Sequence, residues 1–378
     1  MWFFRSPTIV YGEDALSYLT TLPIHKALIV TDQRLLQTEI PQKVVRALPE
    51  GAQSMTVGDI GAEPDLEEMT GHLEAIRAFG PDWVIGVGGG SSLDTAKILF
   101  FLYERPDLTV YDATPLQSLG LRQKSRLIAV PTTSGTGSEC TWAAVLSERA
   151  EHRKHELASP EMIPDYAILD PDLVLALPPE QTRNTATDAV THAIEGYVST
   201  WRNPFSDALS EKGLELILGN ILAVMADPHD VKARTAVHIG ASMAGLSFSN
   251  SQIGLAHALG HALGARYKTP HGKAVGIFLP LVIEFNAPQC RERLDRLNRL
   301  FPESLRGETL SGSVRNLLRA IGQASTVADL KVGRDDYRAA LDELAASASE
   351  STGMVTNPRD SGTAELKDLL AKAYGNGG

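Results

Sequence analysis

The chain changes character once, at Leu177-Pro178-Pro179, and that change constrains its fold more than any single motif. Before it, short β-branched runs alternate with helical patterns, the rhythm of βαβ units on a mostly parallel sheet. Ala27-Leu28-Ile29-Val30-Thr31, Trp83-Val84-Ile85-Gly86-Val87 and Arg126-Leu127-Ile128-Ala129-Val130 read as buried strands. Between the first two, Leu66, Met69, Leu73, Ile76 and Phe79 recur at the spacing of one amphipathic helix. After the change, Ala- and Leu-rich helical patterns take over, at Thr182 to Thr200, Asp207 to Met225, Ala233 to Ser247, Gln252 to Leu263, Arg291 to Leu300 and Tyr337 to Ala346. The expectation is an α/β domain over 1–178 and an all-helical domain over 179–378.

Charge and cysteine usage narrow the function. Lys and Arg number 35 against 46 Asp and Glu, a net charge of −11, and no basic run offers phosphates a counterion-releasing face, so no nucleic-acid partner is expected. Two cysteines, Cys140 and Cys290, exclude a disulfide framework and a cysteine zinc cluster, and free thiols fit a reducing compartment. The apolar start lacks a basic n-region and a long h-region. Apolar stretches such as Ala274 to Ile283 are too short, and too broken by Pro or Gly, to span a membrane. A cytoplasmic protein without a membrane partner is expected.

Gly88-Gly89-Gly90-Ser91-Ser92-Leu93-Asp94 follows a buried strand and opens a helix. Consecutive glycines let a ligand approach the backbone where helix N–H groups and the dipole favour an anion, which suits a pyrophosphate. The alternative is a tight turn capped by Ser91 or Ser92. The hydroxyl-rich loop Pro131-Thr132-Thr133-Ser134-Gly135-Thr136-Gly137-Ser138-Glu139 follows another strand, at the edge where ligands bind open α/β sheets. Asp32, just after the first strand, is placed to accept hydrogen bonds from an adenosine ribose and to repel a 2′-phosphate, or to serve as a turn residue.

Asp188 and His192 are four residues apart in a helical pattern, as are His257 and His261, and each spacing puts two side chains on one helix face. His271 follows Pro270 in an expected loop, within reach of either pair. Imidazoles with one carboxylate suit Fe²⁺ or Zn²⁺ better than Mg²⁺ or Ca²⁺. An isolated pair of this kind is commonly a surface contact, but Asp188, His192 and His257 lie among Ala, Val, Leu and Ile, where unpaired polar groups are costly.

Taken in order, these motifs, with Ser6-Pro7 to Gly12, Ile168-Leu169-Asp170-Pro171, Glu195, Gly254 to His261, Pro270-His271-Gly272 and Asn357-Pro358-Arg359, resemble the iron-containing, group III alcohol dehydrogenases over almost the whole chain. The resemblance implies a Rossmann-like NAD(P)-binding domain and a helical metal-binding domain, the dehydroquinate synthase-like architecture, with cofactor and metal facing each other across a cleft. It makes Asp188, His192, His257 and His271 the metal ligands, Fe²⁺ first and Zn²⁺ second, and His261 a proton relay near the nicotinamide. It puts cofactor contacts at Asp32, Gly89, Gly90, Ser91, Asp94, Thr132, Thr133, Thr136, Ser138, Thr141 and Lys154, and the aspartate at position 32 ranks NAD above NADP. Hydride transfer between the nicotinamide and a small alcohol or aldehyde, in a homo-oligomer of two or more copies, is the implied activity. The alternatives are a glycerol-dehydrogenase-like polyol dehydrogenase and a reductase of aldehydes bearing a carboxylate or phosphonate. The last rests on a departure: Lys273 stands two residues past His271 where such enzymes carry small or apolar residues, with Arg266 and Lys268 close in sequence.

Overall fold

The computed structural model describes residues 3–58, 66–148 and 153–375, and the chain divides into two compact units, Met1–Ala176 and Leu177–Gly378. In the first unit six strands, β1 (Thr8–Tyr11), β2 (Lys26–Val30), β3 (Gln53–Val57), β4 (Trp83–Gly88), β5 (Arg126–Pro131) and β8 (Tyr166–Leu169), form one sheet in the order β1-β8-β5-β4-β2-β3. Every pairing in it is parallel. Strands β6 (Ala143–Glu148) and β7 (Arg153–Ala158) make a separate antiparallel hairpin. The three strands read from sequence lie within one residue of β2, β4 and β5. Their near-continuous apolar runs have the cause expected of a parallel sheet covered on both faces. Leu28, Val30, Val84 and Leu127 face one core while Ala27, Ile29, Ile85, Val87 and Ile128 face the other.

The helices of this unit are α1 (Ile40–Arg46), α2 (Leu66–Thr70), α3 (Leu73–Phe79) and α4 (Gly90–Glu104). The single helix expected over 66–79 is two, interrupted at Gly71-His72, where glycine is a weak helix former. The apolar stripe survives the break, since Met69, Leu73 and Ile76 are all buried. From β2 the chain runs outward to β3, then returns past β2 to β4. The direction of winding therefore reverses between β2 and β4, and a crevice is expected at their carboxyl ends.

The second unit is helical: α5 (Pro179–Val198), α6 (Pro204–Ala226), α7 (Val231–Ser249), α8 (Leu255–Tyr267), α9 (His271–Asn298), α10 (Leu310–Ala320), α11 (Arg334–Ala339), α12 (Leu341–Ser349), α13 (Gly353–Thr356) and α14 (Thr363–Ala373). Helix α5 packs against α6, α7 and α9 and is buried almost throughout its last fifteen residues. Thr187 and Thr191 tolerate this because their hydroxyls bond back to the carbonyls of Arg183 and Thr187, at 2.7 and 2.8 Å. Two expectations are corrected. His271 is not in a loop but opens α9, with Pro270 as the residue before the first turn. Tyr337 to Ala346 is split between α11 and α12. Arg291 to Leu300 is helical as expected, forming the part of α9 beyond a break at Cys290 that follows Pro288. Both cysteines are free and buried, and among the described residues no helix is long and apolar enough to cross a membrane.

Candidate functional site

In the second unit, Asp188 and His192 come from the middle of α5, His257 from the first turn of α8, and His271 from the first residue of α9. One ligand atom from each lies within 4.8 Å of those of the other three. The geometry centres on a single oxygen: Asp188 Oδ1 is 3.1 Å from His271 Nε2, 3.5 Å from His257 Nε2 and 3.7 Å from His192 Nε2. Asp188, His192 and His257 are buried, whereas the His271 side chain is 40% exposed, so the cluster is reached from the His271 side. Asp188 Oδ1 and His257 Nε2 are buried without a hydrogen bond. Two buried, orphaned lone-pair atoms 3.5 Å apart fit a divalent ion between them, and three imidazoles with one carboxylate suit Fe²⁺ or Zn²⁺.

Helix packing makes this convergence possible. Gly272 sits so close to α5 that a Cβ there would lie 1.9 Å from the Asn184 carbonyl oxygen and 3.2 Å from Asp188 Cβ. His192 is stacked between Phe248 on α7, ring centroids 4.1 Å apart, and His257 at 4.6 Å. Burial pushes the Asp188 carboxyl up, but His192 and His271 outweigh it, with His257 adding to their effect, and hold it well below the usual carboxylate range. Burial pushes His257 down, but Glu195 and Asp188 outweigh it and bring it to about 9. The site therefore draws positive charge, whether as a proton or as a metal ion.

Glu195 escaped the sequence reading of ligands, although it lies seven residues after Asp188 on the same helix. Its buried carboxylate accepts hydrogen bonds from the Gly254 and Ala256 N–H groups at 2.9 and 2.6 Å, and from His257 Nδ1 at 2.5 Å. Because an ionised carboxylate can only accept, Nδ1 carries a proton, which leaves Nε2 as the atom that takes either a second proton or a metal ion. His261, one turn further along α8, is half-buried with its ring 5.1 Å from that of His271. Lys273, the residue behind the anionic-aldehyde alternative, is turned elsewhere: its Nζ donates to Glu180 Oε1 on α5 at 3.0 Å. Two residues along a helix are about 200° apart, so His271 and Lys273 leave α9 on opposite sides.

In the first unit, the candidate cofactor residues gather at the carboxyl ends of β2, β4 and β5. Gly88 has φ +150°, a conformation that favours glycine, and Gly89 precedes the first turn of α4, which has no side-chain cap. A Cβ on Gly90 would lie 2.9 Å from Thr136 Cγ2, and one on Gly89 3.4 Å from Thr133 Cγ2, so the two loops pack directly on each other. Thr132 is buried and its N–H donates to Gly88 O at 2.9 Å. Neither serine caps α4. Ser91 is exposed, and Ser92 Oγ donates to Asp32 Oδ2 at 3.1 Å, while Asp32 Oδ1 accepts from the N–H groups of Arg34 and Leu35. An uncapped helix N-terminus behind a glycine turn fits a pyrophosphate.

Below the turn, buried Lys97 donates to Ser138 Oγ, Thr141 Oγ1 and Ala143 O at 2.9, 2.8 and 2.7 Å, and Ser138 Oγ in turn donates to Asp94 Oδ1 at 2.6 Å. The hydroxyls of Ser138 and Thr141 are thus engaged inside the unit. Burial pushes Lys97 down to about 8 despite the nearby Asp94. The Lys154 side chain, on β7, lies outside the described residues.

Comparison with known sequences fits this picture. Residues 6–171 match the family description "Iron-containing alcohol dehydrogenase" and residues 182–374 match "Fe-containing alcohol dehydrogenase family, C-terminal". The chain belongs to the iron-containing alcohol dehydrogenase family. It is 32% identical over 376 residues to the NADPH-dependent butanol dehydrogenase of Clostridium saccharobutylicum, covering 97% of this chain and 96% of that one. Among solved structures, a 1,3-propanediol oxidoreductase superposes with a TM-score of 0.92 at 27% identity over 99% of this chain and all of that one. The iron-containing alcohol dehydrogenase of Thermococcus thioreducens gives 0.90 at 31% identity, with 99% of each chain covered. Some aldehyde-alcohol dehydrogenases match over only 35% or 46% of their own length. As a member of the family, the chain is an NAD(P)- and metal-dependent oxidoreductase of alcohols and aldehydes.

Proposed function

We propose that this iron-type dehydrogenase interconverts short primary alcohols and aldehydes, with Fe²⁺ at Asp188, His192, His257 and His271 and with NAD rather than NADP. The convergence of three Nε2 atoms on Asp188 Oδ1 carries the reading. The butanol and propanediol enzymes among its relatives support a three- or four-carbon substrate.

When bound, the ion supplies Lewis-acid polarisation of the substrate oxygen and the nicotinamide supplies the hydride. The residues of this chain do the rest. Asp188 and the imidazoles hold the charge at one point, Glu195 fixes the His257 tautomer, and half-buried His261 moves the alcohol proton to and from solvent. Residues 1–178 hold the dinucleotide, with its pyrophosphate at Gly89, Gly90 and Ser91 and its ribose at Asp32, whose carboxylate disfavours a 2′-phosphate. Aldehyde reduction in the cytoplasm, by a homo-oligomer, completes the reading.

The test is NADH and NADPH oxidation by metal-stripped protein reloaded anaerobically with Fe²⁺ or Zn²⁺, against propanal, butanal, glyceraldehyde and succinic semialdehyde. The expected result is metal-dependent turnover, fastest with Fe²⁺, NADH and propanal or butanal. A preference for glyceraldehyde, or for the acidic substrate, would replace this reading with one of its alternatives.

A further inference from the structure

The Asn357-Pro358-Arg359 run contributes no side chain to either candidate site, yet the structure places it directly behind the metal cluster. Asn357 and Asn286 are buried and form a reciprocal amide pair, Asn286 Nδ2 donating to Asn357 Oδ1 at 2.9 Å and Asn357 Nδ2 donating to Asn286 Oδ1 at 2.8 Å. Asn357 Nδ2 also donates to Arg359 O at 2.6 Å, and the Arg359 guanidinium lies 4.1 Å over the Phe285 ring while donating to Phe285 O. These contacts fasten the segment to α9.

The same segment bears on the turn before α8. Thr356 Oγ1 donates to Ile253 O at 2.6 Å, and a Cβ on Gly353 would lie 2.3 Å from Gly254 O. On its other side Gly254 is equally confined, for a Cβ there would lie 2.9 Å from Glu195 Oε1 and 3.4 Å from Asn357 Oδ1. Gly254 is thus held between the 353–357 segment and the carboxylate that orients His257.

We infer that the Asn357–Asn286 latch is a positioning device for His257, acting through Gly254 and Glu195, so that the 353–359 segment sets the affinity of the metal site without touching it. This rests on His257 being a metal ligand. Two buried amides that satisfy each other fix a backbone position at little cost, whereas removing one leaves the other unpaired and frees the segment to shift. Loss of groups that orient a ligating histidine typically lowers metal affinity 10–100-fold. The latch acts one step beyond such a group, through Gly254 and Glu195, and the lower end of that range, about 10-fold, is expected.

The experiment measures Zn²⁺ affinity by chelator competition and amide hydrogen exchange at Gly254 and Ala256, on the full-length wild type, His257→Ala, Asn357→Ala and Leu317→Ala. Leu317→Ala removes core packing on α10 in the same unit and controls for general destabilisation. His257→Ala must lose Zn²⁺ binding; if it binds as the wild type does, the metal reading itself fails. Given that loss, Asn357→Ala should weaken Zn²⁺ about 10-fold and speed exchange at both amides, while Leu317→Ala leaves both near wild type. Unchanged affinity in Asn357→Ala, or equal changes in Leu317→Ala, overturns the latch. Should Asn357→Ala not fold, Asn286→Ser opens the same pair from the α9 side and carries the same two expectations.

Discussion

Substituting Gly272 by alanine tests how tightly metal ligation depends on helix contact. The new methyl carbon would lie 1.9 Å from Asn184 O and 2.7 Å from Asn184 C, both backbone atoms of α5, which no rotamer change can move aside. Ordinary C···O contacts stop at about 3.3 Å, so the start of α9 must retreat by about 1.4 Å. His271, the preceding residue, moves with it and draws Nε2 away from Asp188. Overpacking of this kind costs about 3 kcal/mol, which for a unit of this size corresponds to roughly 6–12 °C in Tm. Misplacement of a reacting group by about 1 Å costs on the order of 100-fold in rate. The paired control is Gly219→Ala on the exposed face of α6, where a Cβ meets nothing within 4 Å and a gain of about 0.5–1 kcal/mol is expected. Thermal unfolding of the metal-free proteins, with Zn²⁺ competition alongside, reads both effects. A Gly272→Ala protein with wild-type Tm, and with Zn²⁺ affinity within about twofold of wild type, would refute the claim that α5–α9 contact holds the ligand set together.

Two further outcomes follow from residues outside the cluster. Because Lys273 is already paired with Glu180, Lys273→Ala should leave the ratio of kcat/KM for acidic and neutral aldehydes unchanged; a selective loss on the acidic substrate would restore the anion-binding role. His238 is buried on α7, where desolvation pushes it down to about 4, so between pH 6.5 and 4 the unfolded chain takes up a proton that the folded one refuses. Stability should therefore fall by about 3 kcal/mol as the pH drops through that window, and urea titrations of His238→Gln should show a shallower decline. Parallel slopes in the two proteins would rule His238 out as the source.

Much of this architecture is legible in local pattern. Strands buried on both faces announce themselves as unbroken apolar runs, and Asp188 with His192 is visible because a helical period places them together in an otherwise apolar stretch. The misreadings have physical causes. Pro270 signals a break, but proline is equally at home at the entry of a helix, and His271 is inside rather than outside α9. Pro280 lies within the same helix and hides its length. Helices α10 and α14 have no counterpart in the sequence reading even though Leu310, Val314, Leu317 and Leu318, and Leu366, Leu369 and Leu370, recur at helical spacing. Glu195 was within reach, since residues 188, 192 and 195 share a face. The Asn286–Asn357 pairing was not, because nothing local relates residues 71 positions apart.

The proposed ligand set also joins distant stretches of chain, since the ligand atoms of Asp188 on α5, His257 on α8 and His271 on α9 come within 4.8 Å of one another. An ion held there is a removable cross-link among three helices. Its contribution to the folded state grows with the logarithm of free metal, about 1.4 kcal/mol for each tenfold excess over Kd. On the proposed reading, metal supply would then add to the lifetime of the helical unit against heat and proteolysis, and a protein starved of iron would be cleared sooner as well as left inactive.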